Sequence, residues 1–107
     1  MSEAGFESLG EGRYRVTGNL GFDTVPGLWA QSIAELNDSA EPVIELGHVA
    51  HVDSAGLALV IEWIRWARSH GRHLSFVDVP EKLLALARIS EIDGFLGGAS
   101  GKADGSP

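Results

Sequence analysis

Apolar and polar residues alternate through FESL and RYRVTG on either side of Gly10-Glu11-Gly12, a period of two that predicts a β-hairpin with a glycine-rich turn. The first structure is therefore expected to be antiparallel. The period then changes: Val25, Leu28, Trp29, Ser32, Ile33 and Leu36 recur at helical spacing, up to the turn residues Asn37-Asp38-Ser39. Asp23 is the expected cap of this helix, and Pro26 fits only in its first turn, where a missing N–H costs nothing. VIEL, residues 43–46, reads as a short covered strand, followed by a connection over residues 47–54. LSFVDV, residues 74–79, is a further strand; Pro80 then opens a helix over residues 81–92, with Leu83, Leu86 and Ile89 toward one side. Strands alternating with helices predict an α/β fold, a sheet with helical cover.

Between these elements lies HVDSAGLALVIEWIRWA, residues 51–67, in which one hydroxyl, Ser54, opens a nearly unbroken apolar helix. At about 100° per residue, Glu62, Arg65 and Ser69 share one narrow side, while Leu59, Val60, Trp63, Ile64 and Ala67 share the other. This helix packs on a sheet. Trp66 falls at the border of the two faces, where an indole is half core and half surface, at a core edge or toward a partner. Asp53 and Ser54 can both accept from the free N–H groups of the first helical turn. Capping leaves Ala55-Gly56 unexplained, because glycine is a poor helix residue and suits close approach of another surface. An exposed contact site is the expected role.

Composition narrows the function classes. The 107 residues are 44% hydrophobic, enough for one core and one domain, assigned to residues 5–96. GGASGKADGSP, residues 97–107, is expected to be a disordered tail. A net charge of −7 repels phosphate backbones and anionic headgroups, which argues against nucleic acid and against direct membrane binding. There is no cysteine for disulfides, thiol catalysis or a Cys-type zinc site. The N-terminal segment lacks a signal-peptide pattern and no apolar run is long enough to span a bilayer, so a cytoplasmic location is expected.

Catalytic readings of Ser54 are weak. His48 and His51 are near in sequence, but no nucleophile-elbow pattern surrounds the serine. The pairs His48/His51 and His70/His73 lack a clear third metal ligand, and the glycines of the C-terminal segment precede no helix that could cradle phosphate. Neither an enzyme nor a cofactor is expected.

V-D-S-A-G-L-A-L, set between a short strand and a long apolar helix, resembles the signature of STAS domains, and the order of elements resembles the STAS fold from about Phe6 to Leu96. The resemblance implies a mixed sheet with an N-terminal hairpin and helices packed against it. It also places Ser54 on the surface that meets a partner protein, and in the sporulation-type branch the matching residue is phosphorylated by a partner kinase. The partner surface so implied comprises Asp53, Ser54, Ala55, Gly56 and Leu57, with Trp66 added from its border position. Within the family the chain is most similar to the small STAS subunit of Mla-type intermembrane phospholipid ABC transporters. That similarity rests on V-x-x-L-W ending at Trp29, on V-D-S-A-G-L-A-L-V-I, and on I-R-W-A-R with Gly71. It implies binding to the ATPase subunit, peripheral to the inner membrane through the complex; the alternative is an anti-sigma factor antagonist controlled by a kinase at Ser54. Asn19-Leu20-Gly21 departs from the acid-Leu-Asp that STAS chains often carry.

Overall fold

A computed structural model describes residues 4–89. The expected tail, and the ends of the expected domain and last helix, lie outside these residues. Two strands, β1 (Ala4–Gly10) and β2 (Arg13–Leu20), form the antiparallel hairpin. Its turn takes Gly10, Glu11 and Gly12 through φ of 90°, 57° and 78°, a left-handed run in which only the central position carries a side chain. After α1 (Val25–Leu36), β3 (Val43–Val52) lies parallel to β2; after α2 (Ser54–Ser69), β4 (Ser75–Val77) lies parallel to β3, and α3 (Glu81–Ile89) follows. The sheet order is β1-β2-β3-β4, one antiparallel pair and two parallel ones. The expected mixed α/β architecture is the one observed.

Period-two alternation sends Phe6, Tyr14, Val16, Ile44, Leu46 and Phe76 into the core. Arg13 and Arg15 alternate with these, and both reach Glu45, at 2.6 Å and 3.8 Å. The Tyr14 hydroxyl donates to the Glu35 carbonyl at 2.9 Å, and its pKa is raised by burial first, then by Asp38 and Glu35. Ser32, the polar member of the α1 stripe, is fully buried: it accepts from the Trp63 indole N–H at 2.7 Å and donates to the Trp29 carbonyl at 3.0 Å. That chain of hydrogen bonds joins α1 to α2 through the core.

Four expectations need correction. β3 does not stop at residue 46; it runs to Val52, because β2 supplies partners up to the pair Leu20↔Val52. Register shifts between Arg15 and Thr17 and between Gly18 and Asn19 each add one residue on β3, which erases the two-residue period there. β4 covers only Ser75–Val77, since Asp78 turns to φ 56° and ends the strand. In α3 the inward residues are Leu83 and Ala87, with Leu86 half-buried and Ile89 exposed. Successive i+3 steps rotate about 60° off axis, so Ile89 points about 120° away from Leu83. Finally, Thr24 rather than Asp23 occupies the N-cap of α1. Its hydroxyl donates to the Asn19 carbonyl at 2.7 Å and accepts from the Gly21 N–H at 3.0 Å, bracing the loop instead of the helix end.

Candidate functional site

The long β3 delivers the chain to α2 in extended conformation, with Asp53 at φ −122° and ψ −168°. Asp53 N–H donates to the Leu20 carbonyl at 3.1 Å, tying the junction to β2. Asp53 Oδ1 accepts from the N–H groups of Ala55 (2.8 Å) and Gly56 (3.3 Å), so this carboxylate alone caps the helix. The expectation that Ser54 shares the capping is corrected: it is the first residue of the helix, where helical backbone carries the side chain outward. Ser54 is exposed, and its hydroxyl makes no hydrogen bond among the described residues. Asp53→Ala should therefore cost about 1 kcal/mol in urea unfolding, whereas Ser54→Ala should change stability by no more than about 0.5 kcal/mol.

Gly56 has a different role from the one expected. It is buried, and a β-carbon there would lie 2.5 Å from Val52 Cγ2 and 2.8 Å from both Cβ and the carbonyl oxygen of Leu20. The backbone that needs glycine's missing side chain is the protein's own, so Gly56 brings α2 down onto β2 and β3. Leu57, also in the expected contact set, is in the core, and Ala55 is half-buried. Trp66 is not a border residue but 93% shielded; His70 stacks on it at 5.1 Å between ring centroids and the Arg72 guanidinium lies 5.8 Å from its ring. Twelve residues along the helix from Ser54, it is also about 18 Å away at 1.5 Å per residue. Of the six expected contact residues, the surface at this end of α2 therefore presents Asp53, Ser54 and part of Ala55.

Beside them stands a surface absent from the expected set. The β2–α1 loop is drawn against α2: a β-carbon at Gly21 would lie 3.2 Å from Asp53 Oδ2 and 3.4 Å from Asp23 Oδ1. This is the place where Asn19-Leu20-Gly21 departs from the acid-bearing family pattern, and a larger residue would crowd both carboxylates. The next residue, Phe22, is 79% exposed. Three residues further on, at Val25, begins the lining of a groove of about 310 Å³ between α1 and α2, formed by Val25, Pro26, Trp29, Ala58, Leu59 and Glu62. The sequence did hold a signal for it: Val25 and Trp29 are four apart and Ala58 follows Ser54 by four, so each pair shares a helix face.

The histidines do not converge. His48, His51, His70 and His73 are all exposed, and among the described residues no group of three or more His, Cys, Asp or Glu side chains is placed to hold a metal ion. His70 Nδ1 lies 2.9 Å from the Trp66 carbonyl. No helix of the described residues is long and apolar enough to cross a membrane.

An Asp-capped helix bearing an outward hydroxyl, packed on a four-stranded mixed sheet, has counterparts among known proteins. The family model described as "Mlab, STAS domain" matches residues 7–97. The chain belongs to the STAS family. The structure of the anti-sigma factor antagonist SpoIIAA in its unphosphorylated form has the same fold, with a TM-score of 0.69 over 88% of this chain and 85% of that one, at 12% sequence identity. No curated protein matches the sequence. As a STAS domain the protein has the D-S-x-G-L segment at the start of α2, and its geometry divides that segment in two: Asp53 and Gly56 build the helix start, and the exposed Ser54 hydroxyl takes no partner among the described residues.

Proposed function

We propose that this STAS domain is a non-catalytic subunit that binds, and stabilises or regulates, the ATPase of an intermembrane phospholipid ABC transporter, contacting it through the end of α2 around Ser54. The observation that carries the reading is the Ser54 hydroxyl, exposed and without a hydrogen-bond partner among the described residues, on a helix end capped by Asp53. Among the described residues neither packing nor capping occupies it, so it is available for a contact with another protein. Nor does any described side chain accept its proton, as a base activating a nucleophile would. The matching family model carries the Mlab description, which points to the transporter branch. In that setting the protein sits on the cytoplasmic side and is held at the inner membrane by its partner, since a net charge of −7 disfavours direct contact with anionic headgroups.

A second reading, an anti-sigma factor antagonist switched by phosphorylation, is favoured by the shared fold with SpoIIAA and by the position of Ser54. A phosphate there would add about −1.5 to −2 charges at a helix N-terminus, which the helix dipole tolerates. Beside Asp53 the same charge would repel an acidic partner surface and release it.

Affinity capture from a native lysate separates the two. Wild-type protein is expected to retain an ABC ATPase, and Ser54→Glu to retain at least about tenfold less at an unchanged melting temperature, because a charge is costly to desolvate at an interface and cheap at an exposed site. Equal retention by Ser54→Glu would place the interface elsewhere. Recovery of a kinase, with a substantial phosphorylated fraction mapped to Ser54 by intact-mass and peptide spectrometry, would favour the antagonist instead.

A further inference from the structure

We infer that Phe22 and the adjoining groove between α1 and α2 form a knob and a socket for one protein partner, whose matching face carries an apolar pocket and an apolar protrusion within a Lys/Arg rim. The inference rests on the proposed partner site at Ser54 and supplies the chemistry of the surface that meets it.

Phe22 is the aromatic among the exposed large hydrophobic residues of the described chain, and it stands on a braced loop. Thr24 Oγ1 holds Asn19 and Gly21, and the Gly21 carbonyl accepts from both Thr24 N–H and Val25 N–H at 2.9 Å. An aromatic ring presented on an already ordered turn loses little entropy on binding, which is the property of an interface anchor. The groove beside it has room for a bulky apolar side chain from the other protein, between Trp29 and Ala58.

Charge selects among possible occupants. Asp23 and Asp53 are exposed at this end of the molecule, and the ion pairs that join Arg13 and Arg15 to Glu45 and Arg65 to Glu62 leave both carboxylates out. A knob beside a socket is formally self-complementary, as a twofold dimer requires. In such a dimer, however, the aspartates of two copies, each at −7, would be brought together. An anionic bilayer is disfavoured on the same ground, although an exposed phenylalanine alone would suit it. A basic-rimmed protein surface satisfies both the apolar shape and the charge.

The test measures binding of the purified protein to the ATPase it captures, for wild type, Phe22→Ala, Phe22→Trp and Asp23→Asn. Phe22→Ala is expected to weaken binding about 10- to 100-fold at an unchanged melting temperature, with Phe22→Trp retaining most of the affinity. Asp23→Asn should slow association and flatten its salt dependence. Binding of Phe22→Ala within twofold of wild type would overturn the inference while leaving the ATPase reading intact. Phe22-dependent binding to a captured protein other than an ABC ATPase would uphold the knob and socket while removing the functional reading. A wild-type dimer in sedimentation that Phe22→Ala dissociates, or adsorption of wild type to vesicles of anionic phospholipid, would assign the surface to a different occupant and overturn it. Absence of any captured protein would overturn both.

Discussion

Gly56→Ala is expected to destabilise the fold by about 2–3 kcal/mol, with a parallel fall in melting temperature of roughly 10 °C or more, whereas Gly27→Ala should stabilise it by about 0.5–1 kcal/mol. Both glycines are in helices, so helix propensity alone favours alanine at both, by about 1 kcal/mol. The difference is space. A β-carbon at Gly27 meets nothing within 4 Å, while one at Gly56 meets Val52 and Leu20 at 2.5–2.8 Å, where one of the contacts is a backbone carbonyl that cannot swing aside. Thermal and urea unfolding of the two variants side by side check the claim. Stabilisation by Gly56→Ala would mean that α2 does not lie as close to the sheet as described, and the placement of Ser54 would change with it.

The largest loss is expected at Trp63. It is fully buried, with ring centroids 6.1 Å from Phe6 and 6.2 Å from Phe76, and its indole N–H donates to Ser32. Trp63→Ala should cost about 3–5 kcal/mol, a large share of the roughly 5–15 kcal/mol that keeps a domain folded. Trp63→Phe keeps most of the packing but removes the donor and leaves a small cavity, so about 1–3 kcal/mol is expected. A double-mutant cycle with Ser32→Ala isolates the hydrogen bond: Ser32→Ala should cost about 1 kcal/mol less in the Trp63→Phe background, where only its bond to the Trp29 carbonyl is left to lose, and an equal cost in both backgrounds would assign the Trp63→Phe effect to packing alone. Neither Trp63 variant alters the exposed residues at Ser54, so partner binding per folded molecule should be unchanged.

Much of this architecture was legible because local patterns carry it. The hairpin, α1, and the two faces of α2 follow from periods of two and 3.6 that hold wherever one side of an element is covered. The V-D-S-A-G-L segment, set in that order of elements, carries the likeness to the STAS family in the sequence itself. Boundaries that depend on a neighbour were not legible: β3 extends because β2 is there to pair with it, and its two added residues disguise the alternation. The end of β4 at Asp78 belongs to the same class.

Residue roles at the site divide along the same line. Composition and pattern by themselves determined one α/β domain, acidic and without cysteine, with Ser54 at the start of its central helix. They could not determine which of two adjacent cap-forming residues caps, since Asp and Ser are equally suited and the dihedral angles of the junction choose Asp53. Nor could they determine what approaches Gly56, because a glycine records that something comes close but not whether it is foreign; the fold answers with Leu20, 36 residues earlier in the chain. Trp66 looked half exposed on a helical projection that contains no other element, and His70 and Arg72 cover it only after the chain turns at the end of α2. The α1–α2 groove was illegible for the same reason: periodicity describes each helix about its own axis, and only tertiary packing sets Val25 and Trp29 beside Ala58 and Glu62.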